Sequence, residues 1–164
     1  MVEALANYAA ADVMQAAGYH SFSVCHSLMT IETAGKALRL APLTWGVIDG
    51  SEATWDDLDR LTWNDLDGTS DPKTLKHHQL SDLLECPFLD KTTRDAVREE
   101  LRDLRQKLGN RNPYLACRYP DQWGPGDPPP SQIITAADSH AARVAASMVL
   151  GACGQRFGAI APDE

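Results

Sequence analysis

Cys25 and His26, with His20 a few residues upstream, place a thiol and two imidazoles in the octapeptide YHSFSVCH, residues 19–26. A thiol activated by an imidazole is the chemistry of a cysteine nucleophile, which needs the two groups in contact and a third group orienting the base. Neighbours on a strand face opposite ways, so Cys25 and His26 make a poor dyad and His20 is left as a more distant partner. His77 and His78 are adjacent. On a helix they point about 100° apart, whereas the useful spacing for one metal is i, i+4. The cysteines stand at 25, 86, 117 and 153 with no Cys-x-x-Cys pair, and they read as reduced thiols rather than a disulfide framework. A zinc site from Cys25, His26, Cys86 and Cys117 has no local spacing behind it. His140, in an Ala-rich stretch, reads as a surface or interface residue.

Phosphate and calcium motifs are equally thin. LGACGQRFG (150–158) has glycines but follows a predicted helix. That is the wrong context for a dinucleotide-binding turn, and the segment reads as helix termination and tail. A calcium loop of the EF-hand type with Asp67-Gly68 at positions 5 and 6 puts Trp63 at position 1 and Thr74 at position 12, so it fails. The residues thus assign no catalytic, cofactor-binding or metal site and no cofactor. An enzyme using Cys25 or the histidines is a distant alternative.

The elements that would carry contact chemistry are easier to read. The chain has 164 residues with 43% hydrophobic and 23% charged residues, enough for one domain with a real core. The net charge of −8 speaks against direct nucleic-acid binding or attachment to an anionic membrane. No apolar run reaches the length of a membrane span, and the N-terminus lacks a basic region before its alanines, so neither a signal peptide nor a transmembrane segment is expected. The expected site of synthesis is the cytoplasm.

Residues 1–42 predict N-terminal helices. Val2, Leu5, Tyr8 or Ala9, and Val13 recur at helical spacing over 2–17, with Gly18 as C-terminal cap. Residues 19–26 predict a short strand with Phe22 and Val24 on one face. A helix follows from about Met29 to Leu40, with Pro42 ending it. Residues 72–109 predict a helical pair: Asp71-Pro72 opens the first, running to about Glu85, and Thr92 or Thr93 caps the second, running to Leu108. Val97, Leu101, Leu104 and Leu108 form the seam of the second, and Gly109 closes it. Residues 110–132 hold six prolines and predict an irregular strap carrying Tyr114, Tyr119 and Trp123. A last helix is expected from about Thr135 to Gly151 within a 133–164 terminal segment. Its Ala/Ser/Gly face suits close packing on another helix, inside the domain or between copies. The fold class is mainly α: one small domain spanning 1–164, of five or six helices, with a long Pro/aromatic-rich loop.

The segment 43–71 stands apart. Thr54-Trp55-Asp56-Asp57-Leu58-Asp59 and Thr62-Trp63-Asn64-Asp65-Leu66-Asp67 match at five of six positions, and Leu43 to Gly50, with Thr44-Trp45, is a degenerate third copy. Threonine with an acid three residues later resembles a capping box, so each full copy predicts a short helical turn. From Thr44 to Asp71 there are eight acids and one base, a local charge of −7. Trp and Leu of these turns suit either of two tasks: anchoring two short helices on the core, or, ringed by acid, forming a docking element, since Trp is a favoured interface anchor. Tandem T-W-x-D-L runs are similar to segments of bacteriophage tail and virion proteins. That resemblance covers about 26 of the 164 residues and implies a component of a phage-like particle, with no fold or site residues attached.

The reading is a non-enzymatic structural or adaptor protein acting through contacts with other protein subunits, itself included, in a larger assembly. The expected contact residues are Trp45, Trp55, Trp63, Tyr114, Tyr119 and Trp123, with Asp56, Asp57, Asp59, Asp65 and Asp67. The alternative is a small acidic inhibitor or regulator that presents the aspartates to a basic site, as a nucleic-acid mimic would.

Overall fold

The computed structural model describes residues 1–49, 89–109, 111, 113–118 and 122–158. Among them the chain is mainly helical, with seven helices and no strand. They are α1 (Val2–Ala16), α2 (His20–Asp49), α3 (Lys91–Glu100), α4 (Arg102–Leu108), α5 (Pro113–Arg118), α6 (Pro130–Ile133) and α7 (Ala136–Gly158). The predicted helix opening at Asp71-Pro72 lies outside the described residues. None of the described helices is long and apolar enough to cross a membrane.

α2 is the central element, and α1 and α7 pack along it. The predicted strand at 19–26 is the first two turns of α2. Phe22 is 41% exposed while Val24 is fully buried, so the two residues expected on one strand face point opposite ways. Val24, Leu28 and Ile31 are all buried, and their 4, 3 spacing is the helical repeat that overrides the short alternation. α2 also runs through Pro42, the predicted stop, as far as Asp49. A proline removes one bond of the ladder and biases the residue before it, but neither effect forbids a helix that continues on both sides.

The turn between α1 and α2 follows expectation. Gly18 sits at φ +80°; its N–H donates to the Gln15 carbonyl at 3.0 Å and the Tyr19 N–H donates to the Met14 carbonyl at 2.8 Å. This is the paired pattern of a Schellman cap, whose left-handed position suits glycine.

The contact between α1, α2 and α7 is lined by small side chains. Ala4, Asn7 and Ala11 of α1 meet Ser23, Ser27 and Thr30 of α2, and α7 adds Ser139, Ala142, Ala145 and Ala146, all buried. Hydroxyls there bond across the gap, to backbone and to one another. Ser23 Oγ donates to the Ala11 carbonyl at 2.8 Å and Ser139 Oγ to Ser23 Oγ at 2.8 Å. Such contacts require the backbones to lie close, so the Ala/Ser face of α7 is used inside the domain.

The seam Val97, Leu101, Leu104 and Leu108 is buried as predicted. It is carried on two helices because Leu101 leaves helical geometry at φ −90°, ψ 1°, although the hydrogen-bond ladder continues from Leu101 N to Val97 O and from Arg105 N to Leu101 O. The cap is Asp90, not Thr92 or Thr93: its carboxylate accepts from Thr93 N at 2.8 Å and from Thr93 Oγ1 at 2.6 Å. Gly109 ends α4 at φ 59°, ψ −129°.

Two further expectations are corrected. The stretch 110–132 is not a single irregular loop, because α5 and α6 lie within it. Pro113 and Pro130 each start one of these helices, where a missing N–H costs nothing. The terminal helix passes Gly151 and Gly154 to end at Gly158. Val149 and Cys153, one turn apart, are buried, and Cys153 Sγ donates to the Ala34 carbonyl at 3.5 Å. That packing outweighs the roughly 1 kcal/mol each helical glycine costs.

Candidate functional site

The chemistry-bearing residues singled out in the sequence are mostly at work inside the fold. Cys25 and Cys117 are buried thiols, from α2 and α5. Burial raises the Cys25 thiol above its usual range, against the opposing pull of the Arg118 guanidinium. Burial and then the neighbouring Cys25 push Cys117 up strongly. Neither is a thiolate near neutral pH, the state a nucleophile requires. His26 Nδ1 lies 3.1 Å from Asn7 Oδ1, which ties α2 to α1. Burial, then Arg118, lowers the His26 pKa, so the ring is neutral at pH 7. His140 is exposed on α7. Among the described residues no three metal-binding side chains come together; Cys86, His77 and His78 lie outside those residues.

Lys107 and Asp138 form an ion pair that sequence reasoning missed. Lys107 Nζ donates to both Asp138 oxygens, at 2.8 and 2.6 Å, and Asp138 is only 4% exposed. Asp138 Oδ2 also accepts from Thr135 N and Thr135 Oγ1, each at 2.7 Å. This is a capping box at the start of α7 with Asp in the usual Glu position. The pair borders a cleft of about 380 Å³ lined by Glu99, Arg102, Asp103, His140 and others. The cleft's buried carboxylate is thereby fully committed to holding α4 against α7.

Of the predicted contact residues, Trp123 is the one whose side chain the structure describes. It is half-buried and packs against the core cluster. Its Nε1 donates to the Ala116 carbonyl at 2.9 Å, and the Arg111 guanidinium sits over its ring at 4.3 Å. Arg111 also donates from Nε to the Gln122 carbonyl at 3.1 Å and pairs with Asp127 at 3.6 Å. Trp123 therefore packs against the core while joining Arg111 to α5. Trp45 falls on α2 and Tyr114 on α5. Trp55, Trp63, Tyr119, Asp56, Asp57, Asp59, Asp65 and Asp67 lie outside the described residues.

Among the described residues, the exposed large apolar side chains lie on α1 and at its turn into α2. The periodicity of Val2, Leu5, Tyr8 or Ala9, and Val13 suggests a core face, but the core face is Ala4, Asn7 and Ala11. Val2 is 85% exposed, Leu5 54% and Val13 65%, and Ala6, Ala9 and Ala16 are exposed with them. At 100° per residue these six fall on one side, opposite the side that meets α2. The physical reason is spacing between backbones. The hydroxyl bridges from α2 reach the Ala11 and Ala4 carbonyls, so the backbones lie close there and Val2, Leu5 and Val13 turn outward, while Tyr8 packs partly buried against the core. Tyr19 and Phe22, 60% and 41% exposed, add exposed aromatic side chains at the turn into α2. The legible signal is Ala4, Asn7 and Ala11 recurring at helical spacing.

No family model, curated protein or solved structure matches the chain. Function therefore rests on the geometry.

Proposed function

We propose that the protein is a non-catalytic structural or adaptor component that works through protein–protein contacts. The observation that supports this reading is the outward apolar face of α1. Single exposed apolar residues are ordinary on protein surfaces, but a contiguous stripe along a whole helix is characteristic of an interaction site. A helix laying one apolar face against a partner is a recurrent recognition mode, read as anchors at i, i+3 and i+7; Val2, Leu5 and Ala9 have that spacing. The committed roles of the buried cysteines, His26 and Asp138 weigh in the same direction. The narrower reading, a component of a phage-like virion or tail, rests on the Thr-Trp repeats alone. On the same sequence grounds Trp45, Trp55, Trp63 and the neighbouring aspartates are a second proposed contact element.

The test is the double variant Leu5→Lys, Val13→Lys, followed by circular dichroism and chemical unfolding at micromolar concentration. A solvated face predicts unchanged helicity and a stability within about 0.5 kcal/mol of the wild type. A loss above about 2 kcal/mol would mean that the chain itself packs against the stripe, and the docking reading would fail.

A further inference from the structure

We infer that the partner of the α1 face is a second copy of this chain, docked antiparallel about a twofold axis at Ala9. This rests on the docking reading above and names its occupant. An isologous interface must be self-complementary: if residue i meets residue j, then j meets i. The stripe has that property. Its five central positions, 2, 5, 9, 13 and 16, are symmetric about 9. Antiparallel pairing sets Val2 against Ala16 of the second copy, Leu5 against Val13, and Ala9 against Ala9. Each larger side chain faces an equal or smaller one, and the smallest pair falls at the axis, where two helices must approach to about 8 Å.

Charge permits this register. The two acids of α1, Glu3 and Asp12, sit on the flanks of the stripe. In the paired helices Glu3 comes opposite Gln15 and Asp12 opposite Ala6, so no acid meets an acid. Asp12 is also paired within its own chain, with Arg143 at 2.5 Å. Area sets the strength. The stripe with Met1 offers on the order of 500 Å² of accessible surface per copy, so pairing removes at most about 1,000 Å², the lower limit for a specific interface. An interface of that size fits a reversible dimer rather than an obligate one.

Two measurements decide the matter. Sedimentation equilibrium of the wild-type protein should show reversible conversion from chain mass to twice that mass between low-micromolar and sub-millimolar concentrations. The Leu5→Lys, Val13→Lys variant should stay at chain mass throughout, a loss of at least a hundredfold in association. In a Cys86→Ser background, Ala9→Cys should cross-link to its own copy under mild copper-catalysed oxidation by dissolved oxygen, because axis positions fall within disulfide reach. Val13→Cys should not, since its two copies lie about 12 Å apart along the antiparallel pair. Cross-linking at Val13→Cys as well as Ala9→Cys would overturn the antiparallel register. A wild-type protein that remains at chain mass, with no Ala9→Cys cross-link, would overturn self-pairing. If the double-lysine variant then still folds like the wild type, the face stands and its partner is another protein; if it unfolds, the docking reading itself is wrong.

Discussion

Trp123 is where an aromatic residue expected to meet a partner does a structural task. Its indole N–H satisfies the Ala116 carbonyl and its ring carries Arg111. Trp123→Ala should therefore cost about 2–4 kcal/mol in urea unfolding, through lost ring packing, a lost hydrogen bond and a lost cation–π contact. A change under about 0.5 kcal/mol would return Trp123 to the surface-contact role. Asp138 gives a pH-dependent counterpart. Burial alone would raise its carboxyl; hydrogen bonds from Lys107 and Thr135 outweigh that and hold it below the usual carboxylate range. A depressed folded-state pKa contributes stability that is present above the unfolded value, near 4, and is lost as pH falls through the folded value. Asp138→Asn should thus be less stable than the wild type at pH 7, and the gap should narrow as pH falls below about 4. Parallel acid-unfolding curves with a constant gap would contradict this. Neither role was legible beforehand. Lys107 and Asp138 are 31 residues apart, and nothing local in the sequence couples them.

At the scale of elements, legibility depended on how local the determining physics was. The seam of α3 and α4, the Gly18 cap and the Gly109 stop are set by neighbours in sequence, and these were read correctly. The segment 19–26 and Pro42 depart from expectation because the longer helical repeat of α2 outweighs short-range preference. The orientation of α1 failed for another reason. Periodicity shows that a helix has two faces but not which one is inside; that depends on how close the neighbouring backbone comes. Ala11→Leu is the direct check on that closeness. Ala11 is fully buried, and its carbonyl accepts from Ser23 Oγ, so added methylenes there should destabilise the fold by about 1–3 kcal/mol or more. Ala9→Leu, on the exposed side, should be neutral within about 0.5 kcal/mol in the monomer. Equal effects at both positions would count against the inverted helix.

For the molecule as a whole, charge and apolar surface are segregated. Residues 44–71 carry −7 of the net −8, while α1 presents the apolar stripe. Association through an acidic patch would weaken steeply with salt; association through the stripe should hold or tighten, because salt screens the repulsion between two chains of like charge. A dimer that dissociates in high salt would move the contact from α1 to the aspartates. Whatever the partner, Val2, Leu5 and Val13 of α1 face water in the monomer. Carbene footprinting of the protein at low-micromolar concentration, read residue by residue by mass spectrometry, tests it most directly. Strong labelling is expected at Val2, Leu5 and Val13, with protection at Ala4 and Ala11. Protection at Leu5 and Val13, with labelling at Ala4 and Ala11, would contradict it.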